Sequence, residues 1–138
     1  MSDKQYDEFI DRLHTKFPAM FSGRYGGIAC GSGWWPMIEN LCGVIQAHID
    51  YSKGKCPQVI VDQVKEKFGT LRFYVQGGDE FTGGAIWFAE SMSGQMCEEC
   101  GAPGKRHGDG WVRTQCDFHL IEKEALKAQY AKENGLEL

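Results

Sequence analysis

QVIVDQVKEKFGTLRFYVQ, residues 58–76, decides how the chain is read. Residues 58–66 are rich in β-branched side chains, and 70–76 alternate Leu71, Phe73 and Val75 with Arg72 and Tyr74. Both patterns belong to strands, and KFG between them is short enough to close an antiparallel hairpin. Val59 and Val61 fall on one face of the first strand and Ile60 and Val64 on the other, so burial on both sides is expected.

Helical patterns stand upstream. Tyr6, Phe9, Ile10, Leu13 and Phe17 recur at helical spacing over residues 3–17, and Pro18 limits that helix. Five glycines between 23 and 33 predict a loop. A second helix is expected from Trp35, with Pro36 in its first turn. Its apolar face is Trp34, Ile38, Leu41, Cys42, Ile45 and Ile49, and KGKCP, 53–57, ends it. Downstream, GGDEFTGG, 77–84, reads as a flexible loop. AIWFAESM, 85–92, reads as a short helix packed through Ile86, Trp87 and Met92. The fold class is therefore α+β: helices on an antiparallel hairpin or small sheet, followed by a zinc ribbon or knuckle. One domain of 138 residues is expected, with a body over 1–94, a zinc-binding element over 95–121 and a C-terminal helix over 122–138.

The zinc reading comes from CEECGAPGKRHGDGWVRTQCDFH, 97–119. Cys97-x2-Cys100 and Cys116-x2-His119 are two chelating clips fifteen residues apart. A two-residue gap lets both side chains of a clip reach one centre, and two clips complete a tetrahedron around zinc. Soft thiolates favour zinc over calcium or magnesium. GKRHGDG, 104–110, is the expected loop tip and WVRT, 111–114, the returning strand. His119 falls in the first turn of the charged helix DFHLIEKEALKAQYAKEN, 117–134, closed by Gly135. His107 is the competing histidine. Four good ligands fill the shell, and the chain has neither His-x-Glu before a cysteine pair nor His-Glu-x-x-His, so the metal is expected to be one structural zinc. Cys30, Cys42 and Cys56 are irregularly spaced. They read as buried free thiols in preference to a second site with His48.

Other patterns are weaker. GGIACGSGWW, 26–35, has the glycine gap of a phosphate loop, but Ser32 stands where lysine must be. Lys65, Lys67, Arg72 and Tyr74 gather on the hairpin, and Arg24 and Tyr25 are expected near it. Lys105, Arg106 and Arg113 decorate the zinc loop. These are the candidate partner-binding residues, although a solvated sheet face with cross-strand pairing is the preferred reading of the hairpin group. Net charge is −4, which argues against a general nucleic-acid binder and favours a partner with basic surfaces. His14 and His48 have no matching nucleophile signature, so catalytic residues are not expected. The N-terminal stretch is acidic and amphipathic, unlike a signal peptide, and no segment is apolar enough to cross a bilayer. A cytoplasmic protein is expected.

In QVKEKFGTLRFYV, 63–75, CEECGAPG, 97–104, and GWVRTQCDFH, 110–119, the chain resembles a group of small proteins of phage and prophage genomes. They share a Gly-Trp-rich helix start, a KFG hairpin and a Cys-x-x-Cys element in the same order, over about residues 30–120 here. The resemblance implies a bacterial host cell. It also implies a non-enzymatic role in binding, and inhibiting, a host protein or protein–nucleic-acid complex, with counter-defence proteins such as anti-CRISPRs as the type. Two alternatives stand beside it: direct nucleic-acid binding through the zinc ribbon, and a small-nucleotide-binding protein or enzyme using Arg24, Arg72 and Tyr74. A small-molecule ligand is not expected.

Overall fold

The computed structural model describes residues 3–136. Positions 1–2 of the expected body and 137–138 of the expected C-terminal helix lie outside the described residues.

The fold is α+β. Helix α1 spans Asp3–Lys16 and α2 spans Trp35–Tyr51. They are clamped at the surface by Glu39, which accepts from Lys16 Nζ at 2.6 Å and Arg12 Nη2 at 3.0 Å. Inside, Phe9 of α1 stacks on Trp35 with ring centroids 4.7 Å apart. The hairpin forms as β2, Ile60–Lys67, and β3, Thr70–Gln76. Its turn residues Phe68 and Gly69 have φ of 54° and 82°. Positive φ at both central positions is the type I′ geometry whose twist matches that of the strands.

Three expectations about the backbone of the body are corrected. Val61 and Val64 do not lie on opposite faces: the register of β2 against β3 shifts between Val61 and Gln63. The extra residue of that bulge turns both valines inward, where each is 1% exposed, and leaves Ile60 half-buried. The glycine-rich segment 23–33 is not all loop. Ile28–Ala29 forms β1, paired parallel to Val64 and Lys65, and Ser32–Trp34 forms a 3₁₀ turn that runs into α2. The sheet order is thus β1-β2-β3. The expected loop 77–84 is mostly helix, since α3 spans Glu80–Ser93. Asp79 caps it, accepting from Thr82 N at 3.1 Å while Thr82 Oγ1 accepts from Asp79 N at 2.7 Å. That reciprocal cap outweighs the cost of Gly83 and Gly84 within the first turns.

Helix α3 also closes the free edge of the sheet. The amides of Leu71 and Phe73 donate to Ser93 Oγ at 2.8 Å and Glu90 Oε2 at 2.9 Å. An edge strand so covered has no row of open donors there. Ile86 and Ala89 are buried, whereas Trp87, expected to pack, is 75% exposed and Met92 only half-buried. The shared core of helices and sheet includes Trp34, Ile38, Ile45, Val59 and Leu71, each fully buried.

Strands β4, Lys105–His107, and β5, Arg113–Gln115, form a second antiparallel hairpin. Part of the expected loop tip is therefore strand. Helix α4 follows over Asp117–Glu133, with Gly135 at φ 66° just beyond it. Among the described residues no helix is long and apolar enough to cross a membrane.

Candidate metal centre

The two clips converge. One donor atom from each of Cys97, Cys100, Cys116 and His119 lies within 4.8 Å of the other three. Cys100 Sγ stands 3.7 Å from Cys116 Sγ, and His119 Nδ1 stands 3.6 Å from Cys97 Sγ and 3.2 Å from Cys116 Sγ. A tetrahedron with metal–sulfur arms near 2.3 Å has edges of roughly 3.8 Å, so these separations suit one ion.

Local sequence produces each half. The first clip turns at Gly101, whose φ of 80° lets its amide donate to Cys97 O at 2.8 Å. Cys97 N donates to Ala102 O at 2.7 Å, and Met96 and Pro103 form an isolated bridge. The second clip opens α4. Cys116 is its N-cap, and the backbone hydrogen bond from His119 holds the Cys116 thiol below its ordinary range. A thiolate at a helix start is favoured by the same open amides. Helical geometry from Asp117 then brings His119 back over Cys116. His119 turns Nε2 towards Glu99 Oε2 at 3.9 Å, placing a carboxylate behind the ligand ring. His107 lies on β4 opposite Arg113 and is not in the cluster.

The centre is seated on the glycine-rich segment, whose role spacing alone did not reveal. Gly33 N donates to Glu98 O at 2.8 Å, Gly31 N to Glu98 Oε2 at 2.8 Å, and Trp34 Nε1 to Met96 O at 2.8 Å. A Cβ on Gly33 would strike Cys97 O and the amides of Cys100 and Gly101. GGIACGSGWW is thus the bed of the first clip, not a phosphate cradle.

The β4–β5 hairpin rests on the turn of the first hairpin. Thr114 Oγ1 donates to Gly69 O at 2.5 Å, and Arg106 Nη2 donates to Phe68 O at 2.6 Å. Arg113 Nη1 pairs with Glu66 at 3.3 Å and with Glu98 at 3.1 Å. Glu98 is 7% exposed, and its carboxylate is satisfied by Arg113 and by Gly31 N. Arg113 is therefore an internal strut between the two units. Lys105 and Arg106 stay exposed on β4. Lys65 faces Arg72 across the first hairpin, with Lys67 and Tyr74 two residues along on the same side. Arg72 Nη1 is turned back onto Thr70 Oγ1 at 2.5 Å, and Arg24 is exposed in the segment before β1. Glu66 and Glu98 were not legible as partners of Arg113, because each is separated from it by long stretches of chain or by the clip itself.

A groove of about 640 Å³ opens beside the centre, lined by Ser32, Glu99, Gln115, His119, Lys123 and Leu126 among others. Arg24, Arg72 and Tyr74 do not line it. Cys30 and Cys42 are pushed above the ordinary thiol range by burial, Cys42 to about 12. Both are protonated, packed thiols at neutral pH.

Comparison with known protein families, curated proteins and solved structures returns no match.

Proposed function

We propose that the chain is a non-enzymatic, zinc-stapled binding protein whose partner is a host macromolecular complex, and that it acts by inhibiting that complex. The phage resemblance of the hairpin and cysteine segments supports the setting, a bacterial cytoplasm, and the counter-defence type. Zinc is favoured by the donor set of three thiolates and one imidazole. Four protein donors leave no open position for a substrate, which supports a structural role for the ion.

One observation carries the binding role. Helix α4 leaves the metal centre with residues 121–130 all exposed. Ile121 is 67%, Leu126 61% and Tyr130 62% exposed, and Phe118 in the first turn is 69%. Helical stability in proteins comes mostly from packing of an apolar face, so a helix with its large apolar side chains in water is shaped to be covered. Phe118 and Ile121 stand three residues apart and Leu126 and Tyr130 four, spacings at which neighbouring side chains share a stripe of helix, so the exposed apolar groups form two pairs along α4. The net charge of −4 suits a partner with basic surfaces, such as a nucleic-acid-handling complex.

The test is affinity capture of tagged wild-type protein and of an Ile121→Ser/Leu126→Ser/Tyr130→Ser variant from host-cell lysate. A specific complex retained by wild type and lost by the triple variant, at unchanged melting temperature, is the expected result. Equal capture by both, or no specific capture, overturns the reading. Direct nucleic-acid binding is less favoured because Arg113 is neutralised by two carboxylates. A salt-sensitive electrophoretic shift lost on Lys105→Ala/Arg106→Ala would restore it.

A further inference from the structure

Cys56, which the sequence favours as a buried free thiol over a second site with His48, has two companions. His48 in the last turn of α2, Cys56 in the following loop and Asp79 at the N-cap of α3 each bring one donor atom within 4.8 Å of the other two. We propose that His48, Cys56 and Asp79 form a second divalent transition-metal site, with three protein donors and one open coordination position.

Three separate segments meet here, and each is held by contacts of its own. The His48 ring is stacked on Phe81 with centroids 4.2 Å apart, and its Nε2 stands 2.7 Å from Asp79 Oδ2. Asp79 uses its other oxygen for the α3 cap, so Oδ2 is the oxygen directed at the cluster. Cys56 N donates to Ser52 Oγ at 3.0 Å, and Gly78 N donates to Pro57 O at 3.1 Å, fastening the Cys56 loop to the segment before Asp79. Without an ion the donor atoms are partnered locally, His48 Nε2 with Asp79 Oδ2 and Cys56 Sγ donating to Pro57 O at 3.5 Å, contacts that an ion would replace.

The donor types define the ligand. One sulfur, one imidazole nitrogen and one carboxylate oxygen form a mixed set of the kind that binds zinc or cobalt, while calcium and magnesium require oxygen ligands in greater number. Three donors plus a free position distinguish this site from the four-donor centre. Access is from solvent: Cys56 is 4% exposed, but the side chains of His48 and Asp79 are 28% and 36% exposed. An arriving ion displaces the Cys56 thiol proton and takes the place of the hydrogen bond between His48 and Asp79, so binding releases the thiol proton. A nucleophilic Cys-His-Asp reading fits less well. Cys56 is 4% exposed and its Sγ donates to Pro57 O at 3.5 Å, a placement poorly suited to attack on a substrate.

The test uses the full chain and cobalt(II) as probe, reading bound ions per chain by native mass spectrometry and the sulfur-to-cobalt charge-transfer band. Wild type is expected to bind one ion more than Cys56→Ala and one more than Asp79→Asn, the latter retaining the side-chain oxygen that caps α3. Cys116→Ser is expected to lose the four-donor ion and keep this one, so failure of either centre is read separately. Equal cobalt stoichiometry in wild type, Cys56→Ala and Asp79→Asn overturns the proposal.

Discussion

At the scale of single residues, two backbone positions determine how the parts fit. Gly33 lies against the backbone of the first clip, where a methyl group meets Cys97 O and two amides. Backbone cannot yield as a flexible side chain does, so Gly33→Ala is expected to destabilise by about 1–3 kcal/mol and to weaken metal retention. Thermal melting, with metal content measured on the same samples, checks this; an unchanged melting temperature would mean the clip is not seated on the turn. Phe68 is the opposite case. It holds φ of 54° with a 57% exposed side chain, a conformation that is costly for a bulky residue. Phe68→Asn gives the Asn-Gly pair that type I′ turns prefer, and is expected to stabilise by about 1 kcal/mol in denaturant melts. The backbone carbonyl that Arg106 uses is unaffected by the change.

At the scale of elements, α1 is joined to α2 by the Glu39 clamp as well as by the core. The hydrogen bond from Lys16, with that from Arg12 and both positive charges, holds the Glu39 carboxyl below its ordinary range despite partial burial. A carboxyl depressed in the folded state contributes stability that is complete above its unfolded value and is lost as pH falls through its folded value. Glu39→Gln is therefore expected to lower the melting temperature at about pH 7 and to match wild type at about pH 2. A constant difference across that window would remove the ion pairs from the account. Element by element, the sequence was most legible where period and punctuation agreed. Helix α1, helix α2 from Trp35 and strand β3 follow their apolar patterns almost to the residue. It was least legible where one local signal opposed another. Gly83 and Gly84 argued for a loop, while Asp79 and Thr82 together start a helix. The two-residue β1 has too few positions to show a period, and its pairing is supplied by Val64 and Lys65, far along the chain. The bulge after Val61 breaks the period of two on which the facing of β2 was judged.

At the scale of the whole molecule, the metal centre joins parts remote in sequence: the 3₁₀ turn at 32–34, the first hairpin's turn at Phe68–Gly69 and the start of α4. Without an ion to bind them, three thiols and an imidazole would stand crowded together with no bonds to order them. A chelator is expected to lower the melting temperature and to change the near-ultraviolet signal of Trp34, whose indole N–H is held by Met96 O. Cys97→Ser or Cys116→Ser should reproduce the effect without chelator. Full metal removal with unchanged melting and signal would make the centre dispensable. The four ligands were legible because paired spacing is a short-range signal. Of the His48–Cys56–Asp79 grouping the sequence offers His48 with the irregular cysteines only as the disfavoured reading and gives no sign of Asp79, because its members come from a helix end, a loop and a cap that only the tertiary fold assembles.

The bed formed by Gly31, Gly33 and Trp34 has a consequence for biogenesis. Its occupant begins at Met96, more than sixty residues later in translation. While a ribosome is still making the intervening chain, a large indole that the finished protein hides completely is uncovered. Nascent chains halted before Met96 should therefore be bound by chaperones that recognise exposed aromatic segments, and be released once the cysteine-bearing half has emerged and covered the indole.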